Sequence, residues 1–172
     1  MIGTALARAS LFGLVLATLA GRCAAAAPAP PAAPAVFGVG GRTPLLVVHA
    51  EGAQLYECRA VSGAGGAWTF REPIATLIKG GATIGRHYAG PTWELDDGSA
   101  VKGRVLVSAA GATAADIPWL KLTVIDHRGT GALTGAAVVL RLDTHGGALS
   151  GPCPVVGELR PAPYSADYVF LP

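Results

Sequence analysis

The sequence predicts an all-β fold, a single antiparallel β-sandwich or barrel-like domain with glycine-rich turns. Three observations predict it. Short runs rich in β-branched and aromatic residues recur along the chain. Glycine-containing turn signals separate these runs at intervals of about 8–12 residues. No window after residue 36 has a sustained helical period, and no unit recurs at the spacing of a solenoid or a propeller.

The predicted strands follow one another in a regular order after the proline-rich N-terminal region. Alternation supports the strand near residue 120, because Leu120, Leu122 and Val124 share one face that would lie on a core. We predict strands at residues 45–50, 53–60, 67–70, 74–78, 83–89, 91–95, 100–107, 118–126, 133–142, 156–159 and 165–171. We predict turns at residues 51–52, 63–66, 80–81, 97–98, 129–131 and 146–147.

Residues 1–26 have the pattern of a signal peptide. Arg8 supplies the positive charge, residues 11–20 are a continuous apolar run, and small residues follow at 21–27. Ten apolar residues reach ~15 Å as a helix, about half of a ~30 Å hydrocarbon core, so the run is too short for a membrane span. Export to the periplasm or the extracellular space is therefore predicted.

The rest of the N-terminal region allows one alternative. Cys23 could carry a lipid anchor, but Arg22 occupies the position where such a site needs a small residue. We predict the form without the anchor. Residues 27–36 are rich in proline and alanine and are interpreted as an extended leader, followed by one domain at residues 37–172.

The charge of the processed chain excludes some partners. Removing Arg8 and Arg22 leaves 11 of the 13 basic residues, which balance the 11 acidic residues, and the basic residues are scattered singly. A neutral surface without a basic patch does not predict a nucleic-acid partner. No protein partner or oligomeric state is assigned.

Two cysteines, Cys58 and Cys153, remain after the signal peptide. In an oxidising compartment an even pair predicts a disulfide. Closing a loop of roughly 95 residues would stabilise the fold by up to about 4.5 kcal/mol in the chain-entropy model. Two separately buried thiols are the alternative; neither cysteine has a metal-ligand neighbour at zinc-site spacing.

One stretch concentrates the residues that could carry chemistry: His87, Tyr88, Trp93 and Glu94 are the candidate ligand-binding residues. A histidine and a glutamate that converge could act as base and orienting acid, or as two metal ligands. The two aromatic rings would suit a sugar or a flat apolar ligand. Alternation along a strand places His87 and Tyr88 on opposite faces, and it does the same for Trp93 and Glu94. Each polar side chain therefore shares a face with at most one aromatic ring.

A purely structural interpretation of the same residues stays open. Tyr88 and Trp93 would be core side chains, and His87 would satisfy a buried hydrogen bond. Glu94 would pair with Lys102 or Arg104. The other histidines are interpreted as a strand end, a solvated turn and an exposed loop, in the order His49, His127 and His145.

No known catalytic or cofactor motif occurs in the chain. The H-E-x-x-H, C-x-x-C, G-x-S-x-G and Walker patterns are all missing. The glycines at residues 38–41 lack the third glycine, the preceding strand and the following helix of a dinucleotide loop. The sequence therefore assigns no catalytic residue, no metal and no cofactor.

Six motifs, in the same order, resemble an exported family filed as domain of unknown function 3455, and the likeness covers roughly residues 37–172. This resemblance implies export and a shared fold, and it supplies no catalytic residues. The motifs are Tyr56-Glu57-Cys58, His87-Tyr88-Ala89-Gly90-Pro91-Thr92-Trp93-Glu94, Asp97-Gly98-Ser99, Ile117-Pro118-Trp119-Leu120, Thr144-His145-Gly146-Gly147 and Tyr164-Ser165-Ala166-Asp167-Tyr168.

Together these observations predict an exported β domain that binds a small ligand near residues 87–94. Two alternatives stay open. A secreted hydrolase would need His87 and an acid within hydrogen-bond reach in one concave pocket. A structural envelope protein without a ligand would have no pocket near these residues.

Overall fold

The computed structural model describes residues 32–63 and 65–172 of the chain. The predicted signal peptide and the alternative lipid attachment at Cys23 lie outside this part. Among the residues described, no helix is both long and apolar enough to cross a membrane.

The described residues form one short 3-10 helix, Ala35–Phe37, and nine β-strands. Each strand is numbered in chain order. The strands are β1 Leu46–Val61, β2 Gly65–Lys79, β3 Ala82–Tyr88, β4 Thr92–Leu95, β5 Ala100–Ala109, β6 Trp119–Arg128, β7 Val138–Gly146, β8 Pro152–Cys153 and β9 Leu159–Leu171.

All nine strands belong to one antiparallel sheet that closes into a ring. Its order is β1-β9-β7-β6-β5-β4-β3-β2-β8, and an additional β1–β2 pairing closes it. The strand β8 contributes only two residues beside β2, so eight strands form the ring. The all-β prediction is confirmed. The molecule is barrel-like, although strand lengths and bulges make the ring irregular.

Two pairs of predicted short strands are single long strands. The predicted turn at residues 51–52 was wrong, because Gly52 lies inside β1 opposite Ala75 of β2. A Cβ placed on Gly52 would come within 2.6 Å of the Ala75 Cα. Glycine is needed here because β1 and β2 approach closely, and not because the chain turns. The predicted break between the strands at 67–70 and 74–78 is a bulge within β2, where the register shifts near Arg71.

Two other predicted strands differ in their bounds. The stretch 133–142 becomes a strand only at Val138, although Leu133 is fully buried in the preceding turn. The stretch 156–159 is mostly a turn, and β8 precedes it. An apolar residue in a turn can be buried by tertiary contacts, and sequence periodicity does not distinguish that case from a strand.

Two apolar clusters lie on opposite faces of the sheet. The inner cluster fills the ring with large side chains such as Trp93, Tyr168 and Phe170. The outer cluster places Phe37 against β7 and β9, and Lys121 Nζ donates a 2.6 Å hydrogen bond to the Phe37 carbonyl. Ala33 also packs there. The packed part of the chain thus begins before residue 37, where the sequence places the domain boundary.

The predicted disulfide joins Cys58 of β1 to Cys153 of β8, with 5.8 Å between the two Cα atoms. Both cysteines are buried beside Trp68 and Tyr56. Gly66 lies against this bond, since an added Cβ would stand 2.8 Å from the Cys153 Sγ. The disulfide therefore fastens the short strand β8 to the ring.

Candidate functional site

The four candidate residues divide between the two faces of the β3–β4 hairpin. In its register His87 stands opposite Trp93, and Arg86 stands opposite Glu94. His87 and Trp93 point into the ring, while Tyr88 and Glu94 point outward. The parity expected from the sequence is therefore present, and it separates the four residues into two pairs.

The outer pair forms a hydrogen-bonded ion network. Tyr88 Oη donates to Glu94 Oε2 at 2.6 Å, and Arg86 donates to Glu94 Oε1 at 2.9 Å. Arg128 donates to Tyr88 Oη at 2.8 Å and to Glu94 at 3.3 Å. The Tyr88 hydrogen bond, followed by the Arg86 bond, holds the pKa of Glu94 below its usual value.

This network corrects one expectation. Glu94 pairs with Arg86 and Arg128, and not with Lys102 or Arg104. Arg86 lies directly across the hairpin, and Arg128 comes from the far end of β6. The network is a surface feature that ties three strands together, and its net contribution to stability is modest because water screens exposed charges.

The inner pair is packed and neutral. His87 is 2% exposed, its ring stacks on Trp93 with centroids 4.6 Å apart, and Tyr168 closes the third side at 5.0 Å. Its Nδ1 lies 2.8 Å from the Thr92 carbonyl. Desolvation lowers the pKa of His87 to about 3. Because a carbonyl only accepts, Nδ1 carries the proton and Nε2 is left as an acceptor.

A cavity of about 530 Å³ lies inside the ring, and both inner residues line it. Tyr88 and Glu94 do not. Most of the wall is aromatic or aliphatic, with a few polar side chains among the apolar ones. Its apolar and aromatic wall includes Tyr56, Phe70, Trp93, Leu120, Leu122 and Tyr168, and its polar side chains are Gln54, Arg71, His87 and Arg141.

The cavity reaches the surface through a gap in the ring. Strand β3 pairs with β2 only from Ala75 onward, and β4 pairs with β5 only as far as Lys102. Among the residues described, no strand therefore pairs with residues 69–74 of β2 or 104–109 of β5 on the side of the β3–β4 turn. Phe70 and Val105, each 49% exposed, line the cavity from these two edges.

Two buried donors in the cavity wall, Gln54 Nε2 and Trp93 Nε1, form no hydrogen bond of normal geometry among the described residues. The Gln54 amide also lies beside the Tyr164 hydroxyl, without a well-formed hydrogen bond to it. Gln54 is 3% exposed and Trp93 is 1% exposed. A buried donor without a hydrogen bond costs about 1–3 kcal/mol. Unsatisfied donors that line an internal cavity are groups that a bound molecule can satisfy.

Arg141 brings a positive charge to the same cavity. Its Nε donates to the Pro118 carbonyl at 3.0 Å. Its charge contributes to lowering the pKa of His87, after the larger effect of burial. It also lowers the pKa of Tyr168, which burial raises. The guanidinium therefore lies near His87 and Tyr168.

Sequence reasoning missed Gln54 and Arg141. Gln54 is the single glutamine of the chain, and it has the same parity as Val48 and Ala50, which belong to the inner cluster. Arg141 stands between Leu140 and Leu142 in an otherwise apolar run. A polar side chain at an inward position of an apolar strand is the signal that could have found both.

The remaining histidines lie apart from this cavity. His49 is inside β1, where its Nδ1 lies 2.8 Å from Asp167, so it does not cap a strand end. His127 is in β6 with Nε2 2.8 Å from the Ala136 carbonyl, and not in a solvated turn. His145 is exposed at the end of β7. Across the described ranges, no three metal-ligating side chains are grouped to hold an ion.

The fold and this cavity define the class: an antiparallel β domain whose closed sheet surrounds a largely apolar cavity with unpaired donors. The chain belongs to the family described as Protein of unknown function (DUF3455), whose model matches residues 39–172. The resemblance found in the sequence motifs is thereby confirmed. Neither a curated protein nor a solved structure matches this chain.

Proposed function

We propose that this protein is an exported β domain that binds a small, mostly apolar ligand in the cavity behind the β3–β4 hairpin. The observation that carries the proposal is a pair of buried donors, Gln54 Nε2 and Trp93 Nε1, that form no well-formed hydrogen bond among the described residues and lie in a largely apolar wall. Apolar walls with a few placed polar groups are typical of small-molecule sites, and ~300–1,000 Å³ is their usual size. Export rests on the N-terminal sequence.

The geometry favours binding over the hydrolase alternative. His87 lines the cavity, but its Nδ1 is bonded to the Thr92 carbonyl and Glu94 lies on the outer face. Within the described ranges, no Asp or Glu lines the cavity. A His–acid pair needs both groups within hydrogen-bond reach, so the arrangement lacks the second member. The structural-protein alternative requires no cavity near residues 87–94, and a cavity is present.

The test uses N-phenyl-1-naphthylamine, a neutral apolar fluorophore, titrated into the processed protein. We expect saturable emission enhancement at one site. Replacing Val105 at the gap with Trp should weaken probe affinity about tenfold or more, because the larger ring fills the opening. The matched control is Ile125→Trp, at an equally exposed strand position that does not line the cavity.

Both variants must unfold at temperatures close to that of the wild type for the comparison to hold. If Val105→Trp binds the probe as tightly as Ile125→Trp does, the probe does not use the cavity and the proposal is wrong. Absence of saturable binding to the folded wild type contradicts it equally.

A further inference from the structure

We infer that the ligand is a monoanionic amphiphile whose anionic group lies against Arg141 and whose apolar body extends toward the gap between β2 and β5. This inference rests on the proposed function and adds the chemical class of the ligand and its orientation. Four observations support it: the direction of Arg141, its lack of a counter-ion, the surplus of donors, and the position of the gap.

Arg141 points into the ring. On β7 it shares a face with Val139, which belongs to the inner cluster, whereas Leu140 and Leu142 belong to the outer cluster. Its pairing partner on β9 is Tyr168, an inner residue that also lines the cavity. Arg141 is half-buried: it contacts the buried Tyr168, while its hydrogen bond to the Pro118 carbonyl is exposed.

No counter-ion accompanies Arg141 in the described part of the chain. It forms none of the ion pairs within 4.0 Å, and all the lining residues are neutral or basic. The second basic residue of the wall, Arg71, is paired with Glu72 at 3.3 Å. One uncompensated charge therefore remains, and a single negative charge on the ligand would balance it.

Hydrogen-bond donors outnumber acceptors among the polar side chains of the wall, although His87 Nε2 is one acceptor. Arg141 has five N–H donors and no acceptor; its Nε donates to the Pro118 carbonyl, and its side chain also contacts the Tyr168 hydroxyl, so its donors outnumber these two contacts. Gln54 Nε2 and Trp93 Nε1 are further donors that form no well-formed hydrogen bond among the residues described. A carboxylate or another anionic head group offers only acceptors, which is the chemistry that this set of donors lacks.

The gap lies opposite Arg141 in the ring. In the ring order, β7 and β9 stand across from β3 and β4, beside which the gap opens. The exposed side chains Phe70 and Val105 lie at the gap, so the route from the surface to Arg141 is apolar. The cavity volume equals that of roughly 18 water molecules, which suits a ligand of comparable size with one charged end.

Two fluorophores that share one ring system and differ by a single anionic group test the inference. 8-Anilinonaphthalene-1-sulfonate has the ring system of N-phenyl-1-naphthylamine with one sulfonate added. We expect the wild type to bind the anionic probe at least about tenfold more tightly than the neutral probe. Decanoate should likewise displace the bound anionic probe at a lower concentration than decanol does.

Substitution of Arg141 identifies the source of the preference. Arg141→Met keeps an unbranched, flexible side chain and removes the charge, so both probes should bind with similar affinity. Arg141→Lys keeps the charge and loses the planar donors, so part of the preference should remain. Arg104→Met on β5 is the control: it removes one exposed charge outside the cavity, and the preference should be unchanged.

The outcomes separate this inference from the proposed function. Equal affinity of the wild type for both probes, with saturable binding, overturns the inference and leaves the cavity as a neutral-ligand site. A preference that survives Arg141→Met also overturns it. If neither probe binds the folded wild type, the proposed function itself fails. Should Arg141→Met not fold, the wild-type comparison and the Arg141→Lys variant still decide.

Discussion

At the scale of single residues, burial determines the chemistry of His87. Its ring is held by the Trp93 stack and by the Thr92 carbonyl, and desolvation keeps it neutral. A neutral imidazole with one nitrogen already bonded is a poor general base, because protonating it costs the energy of a buried charge. Its role is to shape the cavity wall and to offer one acceptor there.

His87 makes stability depend on pH in a defined window. Its folded pKa is about 3 and its usual value is 6.5, so the unfolded chain binds a proton that the folded chain does not. Stability is fully present above pH 6.5 and falls as pH is lowered toward 3. Urea unfolding between about pH 6.5 and 5 should show a loss on the order of 1–2 kcal/mol.

In this pH range the effect of His87 on stability is separate from the effects of the carboxylates. Glu94, Asp97 and Asp116 all have lowered pKa values, and their contribution is lost only below their usual values of about 4. His87→Phe keeps an aromatic ring on Trp93 and should flatten the pH dependence, although it leaves the Thr92 carbonyl unpaired. His145→Gln, at an exposed site, should keep the wild-type dependence. An unchanged slope in His87→Phe would contradict the assignment.

Residue-level prediction succeeded for the faces of the hairpin and missed the polar wall of the cavity. Alternation correctly placed His87 and Tyr88 on opposite faces of the strand, because side chains alternate whatever packs against them. Arg141 was not identified because its strand is apolar on both faces. The N-terminal segment with Phe37 covers the outer face of β7, and only the folded chain reveals which face is internal.

At the scale of elements, the short β3–β4 hairpin creates the site. Strands β3 and β4 have seven and four residues, while β2 and β5, which flank the hairpin, have 15 and 10. The longer strands therefore run past the hairpin, and within the described part of the chain no strand pairs with them there. The gap in the ring and the access to the cavity both follow from this difference in length. Unpaired strand edges usually invite association with other strands, and Pro73 and the bulge at Arg71 interrupt one of these edges.

Element bounds were predictable where glycine turns the chain and not where glycine allows close contact. Gly98 has a φ of 88° in the turn after Asp97, and that hairpin was predicted. Gly52 is also a glycine, but it is needed for a different reason, because the backbone of β2 lies very close to it. Composition alone does not separate these two uses, since the second depends on a strand that is distant in the sequence.

The close contact at Gly52 predicts the effect of a single methyl group. Gly52→Ala places a Cβ 2.6 Å from the backbone Cα of Ala75, which cannot move without disturbing the β1–β2 pairing. We expect a loss of about 1–3 kcal/mol in the free energy of unfolding. Gly135→Ala is the control, because its added Cβ meets only Leu45 Cδ1 at an ordinary 3.6 Å. Equal stability of the two variants would show that β1 and β2 are not in close contact at this point.

At the scale of the whole molecule, ring closure and the disulfide act on the same strands. Strand β1 pairs with both β2 and β9, so it joins the first and last parts of the domain. The Cys58–Cys153 bond adds β8 to this seam across 95 residues of sequence. A structural disulfide of this kind persists in oxidising compartments and is rare in a reducing cytosol, so the covalent structure agrees with the proposed export.

The proposed export and the disulfide can be tested by one mass measurement. When the full chain is expressed in a bacterial host with a periplasm, we expect the periplasmic protein to begin at residue 26 or 27. Its intact mass should be two hydrogens below that of the same species after reduction, because Cys58 and Cys153 are joined. A species that begins at Cys23 with an added lipid mass would instead establish the anchored form. Full-length protein confined to the cytoplasm would contradict export.

As a control, replacing both Leu14 and Leu16 with Arg should interrupt the apolar run of the signal peptide. The unprocessed chain should then remain inside the cell, since a signal peptide requires that run.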